Sequence, residues 1–169
     1  MKVASKIIEK APQWIKFPQT QEEIFNAKTE WMSKYSMPST IGVIDCTHIR
    51  IQKPKINGDE YINRKGWPSI NVQATCDAFE HFTSIVAEWP GSVHDARIFR
   101  NSNIKRILAR TTNTIILEDS GYGIAPYLIT PYKNPQIPAQ LNFNKVYAKE
   151  RVVIERCLGQ LKMRFPILH

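Results

Sequence analysis

The chain is poor in cysteine and has none in a paired spacing: Cys46, Cys76 and Cys157 are odd in number, far apart and never in a CxxC motif. This argues against a disulfide framework and a zinc ribbon, and fits a reducing intracellular compartment. No run approaches the roughly 18 apolar residues of a membrane span, and no signal-peptide apolar region follows Met1-Lys2-Val3-Ala4-Ser5-Lys6. The expectation is a soluble, non-secreted protein with no membrane partner. Internal repeats and low-complexity tracts are also missing, which excludes solenoids and arrays. Acid is scarce as well: 15 Asp and Glu stand against 23 Lys and Arg, for a net charge of +8. Such an excess favours a polyanionic partner, nucleic acid before an anionic surface.

What is present is a chain of 169 residues, 43% hydrophobic and 22% charged, the size of one domain with a core of its own. Among its few acids, three fall at informative places. Asp45 ends the apolar run Ile41-Gly42-Val43-Ile44, and Asp119 follows Thr114-Ile115-Ile116-Leu117-Glu118. Glu155 lies in Lys149-Glu150-Arg151-Val152-Val153-Ile154-Glu155-Arg156-Cys157-Leu158, which lacks Pro and Gly and repeats its apolar positions at helical intervals. Two strand acids and one helix acid suit a cage for divalent cations. Hard ions such as Mg2+ need only one or two carboxylates each when substrate phosphates complete the shell. Two ions about 3.5–4 Å apart hold the attacking and leaving oxygens of an in-line displacement at phosphorus.

Pattern and punctuation predict the order of elements. Residues 1–40 read as an N-terminal helical and linker segment: a short amphipathic helix over 3–10, breaks at Pro12 and Pro18, then a helix opened by the capping-box sequence Thr20-Gln21-Glu22-Glu23 and running to about Tyr35. A strand is expected over 41–52. Two further strands, 69–79 and 82–89, form a hairpin through the two-residue link Glu80-His81. One helix over 93–108, strands at 114–117 and 128–130, a Pro-rich loop from Pro131 to Pro138 and a last helix over 144–164 complete the series. Antiparallel strands first and a crossover helix afterwards make a mixed α/β pattern, matching a ribonuclease H-like sheet flanked by helices.

Six segments, in order, resemble the Harbinger (PIF) transposases and the host nucleases derived from them. They are Ile41-Gly42-Val43-Ile44-Asp45-Cys46-Thr47-His48-Ile49, Tyr61-Ile62-Asn63-Arg64-Lys65-Gly66, Ser69-Ile70-Asn71-Val72-Gln73, Pro90-Gly91-Ser92-Val93-His94-Asp95-Ala96-Arg97-Ile98-Phe99, Glu118-Asp119-Ser120-Gly121-Tyr122 and Ile154-Glu155-Arg156-Cys157-Leu158-Gly159-Gln160-Leu161-Lys162. The resemblance implies a DDE-type endonuclease domain over 41–169, with Asp45, Asp119 and Glu155 as catalytic and metal-binding acids. Thirty-five residues separate the last two. It further implies Mg2+ or Mn2+, two ions in all, DNA as substrate, hydrolysis or strand transfer at a phosphodiester, a separate DNA-binding partner protein and a nuclear address.

The chain departs from that pattern at Cys46, where Gly is usual, and at Glu118, where a small residue is common. It also ends soon after the last helix and lacks a helix-turn-helix region at its start, so it reads as a shortened member. That leaves a second expectation open: an inactive relative serving as a DNA- or protein-binding module. Asp95 is expected either to cap the helix it heads or to act as a further metal ligand. Arg64, Lys65, Arg97, Arg100 and Lys162 are the expected nucleic-acid contacts, with Trp67 beside the first two. Each has a plainer role available as a solvated or turn residue, and Glu155 could simply pair with Arg151 one turn earlier.

Overall fold

A computed structural model describes residues 2–119, 121–123 and 125–169. Ser120, within one of the six segments, lies outside the described residues. Helix α1 (Lys2–Lys10) is followed by α2 (Gln21–Lys34), which opens with the expected capping box: Thr20 accepts the Glu23 N–H while the Glu23 side chain accepts the Thr20 N–H. Strands β1 (Thr40–Arg50), β2 (Ser69–Cys76) and β3 (Phe82–Pro90) form an antiparallel meander. Strands β4 (Ile115–Leu117) and β5 (Leu128–Ile129) add in parallel on the other side of β1, giving a five-stranded mixed sheet in the order β3-β2-β1-β4-β5. Among the described residues, no helix is long and apolar enough to cross a membrane.

Alternation along β1 decides which side chains meet which helices. Val43 joins Cys76 and Leu117 under Val153, Ile154, Cys157 and Leu158 of helix α5 (Pro138–Arg164). Ile44 turns the other way, with Ile116 and Leu128, against α3 (Asp95–Asn101) and α4 (Asn103–Leu108) through Phe99, Ile104 and Leu108. Helix α2 closes the base of both cores, with Trp31 in the first and Ile24 in the second. By the same alternation Asp45 belongs to the α5 side and Cys46 to the α3 side.

Three differences from the sequence expectation go beyond one or two residues at an element end. The helix expected over 93–108 is two helices, because Ser102 leaves helical geometry, accepts the Lys105 N–H and donates to the Phe99 carbonyl at 2.8 Å. The link from β2 to β3 is not two residues but the five residues 77–81. There the Asp77 carboxylate accepts the Phe79 and His81 N–H groups and holds the turn, while Glu80 takes a left-handed φ of 67°, a conformation that glycine favours. Helix α5 begins six residues earlier than expected and runs for 27 residues, since Pro138 occupies a first-turn position where it costs no hydrogen bond.

Candidate active site

Strand β1 pairs with β2 from Val43 to Arg50, but β4 pairs with it only as far as Val43. Past that point nothing among the described residues pairs with the β4-side edge of β1, and Asp45 stands two residues into the opening. It is therefore mid-strand, held by a full ladder on one side and free to face a ligand on the other. Its carboxylate accepts the Cys46 N–H at 2.7 Å. Burial raises its proton affinity most, pushing the pKa up to about 6; the Cys46 N–H and Arg151 oppose this, and Asp119 and Asp95 add to it. Both of those acids are thus close enough for Asp45 to feel their charge.

Helix α5 brings the next two groups. Its buried stripe of Tyr147, Glu150, Val153, Ile154, Cys157 and Leu158 fixes its rotation against the sheet. Arg151 and Glu155, one turn apart, are left at the margin of that stripe. Arg151 Nη2 is in direct contact with Glu155 Oε1, and Nη1 lies 3.7 Å from Asp45 Oδ2. One guanidinium therefore joins the strand acid to the helix acid. The expected i,i+4 pairing is present, and the contact across to β1 comes with it.

Asp119 follows β4 by two residues, exposed, with its carbonyl accepting the Tyr122 N–H at 3.3 Å. Its neighbour Glu118 is fully buried. Among the described residues, neither Glu118 carboxyl oxygen has a hydrogen bond of ordinary geometry. Burial pushes this carboxyl up to about 8, eased by the nearby Tyr122 N–H and reinforced by Asp119 and Asp45. From α5, the Tyr147 hydroxyl accepts the Glu118 N–H at 2.9 Å and lies 2.8 Å from the Ile129 carbonyl. That hydroxyl ties the ends of β4 and β5 to the helix carrying Arg151 and Glu155.

Asp95 heads α3, but no side chain caps that helix at His94. The Asp95 carboxylate instead accepts the Asn71 side-chain amide of β2 at 2.8 Å. This replaces the capping role expected from sequence. The same Asn71 amide donates to the Val93 carbonyl at 2.9 Å, so a strand residue fixes the loop entering α3.

The basic residues fall into two groups. Lys162 donates to the His48 carbonyl at 3.1 Å, and its proton affinity is lowered by burial and by Lys65. His48 is likewise lowered, first by burial, with Arg64, Lys65 and Lys162 contributing and Asp95 opposing. Arg64, Lys65 and Lys162 thus converge at the far end of β1. Arg97 and Arg100 are exposed on α3, where Arg100 lines a separate cleft with Lys105 and Tyr122.

Among the described residues, no three His, Cys, Asp or Glu side chains stand close enough together to ligate one metal ion. What is assembled directly is Asp45, Arg151 and Glu155, with Asp119 and Asp95 in electrostatic reach. Carboxylate oxygens are the donors a hard divalent ion takes, and two carboxylates beside water and phosphate are enough for Mg2+. The Asp45–Glu155 pair already shares one positive group, so these residues fit a cation. Sequence reasoning missed the link from Arg151 to Asp45, the Asn71–Asp95 bond and the burial of Glu150. Only Glu150 carries a sequence signal: it is an acid inside the apolar stripe of α5.

A mixed five-stranded sheet with acids on its central strand, after the adjoining strand and on the covering helix is compatible with the ribonuclease H-like fold of DDE enzymes. The chain matches the family described as "DDE superfamily endonuclease" over residues 44–169 and belongs to it. It is 31% identical over 168 residues to "Putative nuclease HARBI1" of Rattus norvegicus and 30% identical to that of Homo sapiens, covering 98% of this chain and 48% of each relative. It is 26% identical to "Protein ALP1-like" of Arabidopsis thaliana, covering 95% of this chain and 43% of that protein. The chain thus spans about half the length of these curated relatives. No solved structure matches it. Members of the superfamily generally use divalent metal ions.

Proposed function

We propose that the chain carries the catalytic unit of a metal-dependent DNA endonuclease, over residues 41–169, in which Asp45, Asp119 and Glu155 bind the ions. The observation that carries this reading is the meeting of a half-buried strand acid and a helix acid at one cation, Arg151, beside the exposed Asp119. Like charges gathered without a ligand are costly, and hydrolysis of a phosphodiester is a use that accounts for them.

Divalent ions, Mg2+ or Mn2+ and two in number, would supply Lewis acidity and a water of lowered pKa at the phosphorus. The protein's own part is positional. Asp45 is set by the β1–β2 ladder, Glu155 by the buried stripe of α5, and Asp119 by the Tyr147 tie at the end of β4. Asp95, oriented by Asn71, is a further oxygen donor on the neighbouring side. Arg64, Lys65 and Lys162 hold the phosphate backbone at the end of β1, with Arg97 and Arg100 extending the basic surface along α3; contacts of this kind position a duplex without reading its sequence. A separate DNA-binding partner and nuclear location complete the reading, on the strength of the family resemblance.

The test is nicking of supercoiled plasmid in Mg2+ or Mn2+. The protein is expected to convert it to open circle, and Asp119→Asn to slow this by at least about a hundredfold. Equal nicking by the variant, or by wild type in excess chelator, would reject the assignment.

A further inference from the structure

Arg151 touches two of the proposed ion-binding acids, and the manner of contact is specific. Its two terminal nitrogens are divided between them, Nη1 toward Asp45 Oδ2 at 3.7 Å and Nη2 against Glu155 Oε1. The side chain is only about a quarter exposed, at 26%, with Asp45 at 21%. An exposed i,i+4 pair holds its partner loosely and contributes a few tenths of a kcal/mol. This guanidinium instead reaches from a helix across to the central strand, where burial weakens solvent screening.

A guanidinium and a divalent ion compete for the same carboxylate oxygens, since each is a positive group that those oxygens can accept. Asp45 and Glu155 are both engaged by one positive charge, which compensates them in the ion-free protein.

We propose that Arg151 is a positioning residue that occupies the place of the divalent ion between Asp45 and Glu155 and must be displaced before the ion binds. This rests on the assignment of those two acids as ion ligands and goes beyond it by making the metal affinity of the site a competition. The wedge stabilises the ion-free protein by keeping two acids compensated. A divalent ion, with twice the charge and a smaller radius, would take the same oxygens once the guanidinium had swung away. Because linkage is reciprocal, whatever Arg151 contributes to holding the ion-free acids is subtracted from ion affinity. Arginine is suited to this, since its planar fork holds two separate oxygens where a lysine ammonium presents a single point charge.

The experiment is a Mn2+ titration of the whole chain followed by isothermal calorimetry and by the loss of free-Mn2+ paramagnetic resonance signal, so that no activity is read. Wild type, Arg151→Ala, Arg151→Gln and Arg151→Lys are compared, each first checked for cooperative thermal unfolding so that a misfolded variant is not scored. Arg151→Ala and Arg151→Gln are expected to bind Mn2+ about 5–50-fold tighter than wild type, with a lower unfolding temperature in chelator and a larger Mn2+-induced rise. Arg151→Lys should fall between. Millimolar methylguanidinium should weaken Mn2+ binding to Arg151→Ala and leave wild type unaffected, which a merely structural role would not produce. Unchanged or weaker affinity in the alanine and glutamine variants, with wild type still binding, overturns the wedge while leaving the ion-binding acids in place. Absence of Mn2+ binding in wild type and in every folded variant overturns both.

Discussion

The Trp31 indole N–H donates to a carboxyl oxygen of Glu150 at 2.7 Å, joining α2 to α5 within the core. The other oxygen accepts the Ser36 N–H at 2.7 Å and the Met37 N–H at 3.0 Å, so a single buried acid fastens the end of α2 to the helix that carries Arg151 and Glu155. Trp31→Phe keeps an aromatic ring but removes one donor, and is expected to cost about 1–3 kcal/mol. Glu150→Leu strands three donors and should cost about 3 kcal/mol or more. Urea unfolding followed by circular dichroism measures both, and a loss under about 0.5 kcal/mol for the leucine variant would contradict this account of the junction.

Glu118 is the opposite case, a buried acid with no hydrogen bond of ordinary geometry among the described residues, pushed from an ordinary 4.5 up to about 8 chiefly by burial. Between those values the native protein retains a proton that the unfolded chain has released. The unfolded state then binds fewer protons, so stability falls as pH rises across the window and levels off above it. Glu118→Gln should flatten that slope and raise stability near pH 8 by about 1–4 kcal/mol. Urea midpoints in chelator across that pH range provide the check; an unaltered slope in the variant would show that the charge at this position is not the cause.

Gly91 meets the N-terminal end of β2 so closely that an added Cβ would lie 2.1 Å from Ser69 Oγ and 2.6 Å from the Tyr61 carbonyl. Gly91→Ala is expected to lower stability by about 1–3 kcal/mol by forcing these groups apart. Because the same loop leads to Val93 and Asp95, the variant should also lose order around the Asn71–Asp95 bond. Side-chain amide exchange of Asn71, seen by NMR, tests the local effect, and unchanged exchange would confine the damage to Gly91.

Lys65 lies near enough to Lys162 to disfavour its charge. If both hold phosphates, the double variant Lys65→Ala/Lys162→Ala should weaken DNA binding equally across sequences and reduce the slope of log affinity against log salt by about 2. Fluorescence anisotropy at several salt concentrations measures that slope. A slope equal to wild type would remove these two lysines from the DNA path.

Much of the sheet is legible in the sequence because β1 and β4 carry apolar runs and β2 alternates polar and apolar residues, and because three consecutive strands followed by a helix and a strand admit few arrangements. The split at Ser102 is not, since serine serves equally in a helix interior and as the cap of a new helix, and only the Phe99 and Lys105 contacts decide between them. Pro138 reads as the end of a proline-rich loop, because a proline opens a helix only when the residues after it find a surface to pack on. For the site, the sequence order of Asp45, Asp119 and Glu155 is visible, and so is the Arg151–Glu155 pairing. The reach of Arg151 to Asp45 is hidden, because it depends on how α5 is rotated over β1, which the buried stripe from Tyr147 to Leu158 sets only after folding.

The central claim is that carboxylates at positions 45, 119 and 155 hold divalent ions, and anomalous diffraction from crystals of the chain soaked in Mn2+ tests it most directly. The account predicts an anomalous peak ligated by Asp45 together with Asp119 or Glu155, with the Arg151 guanidinium moved out from between the acids. A structure at saturating Mn2+ with no peak at these carboxylates, or with the ion bound only elsewhere, would contradict it.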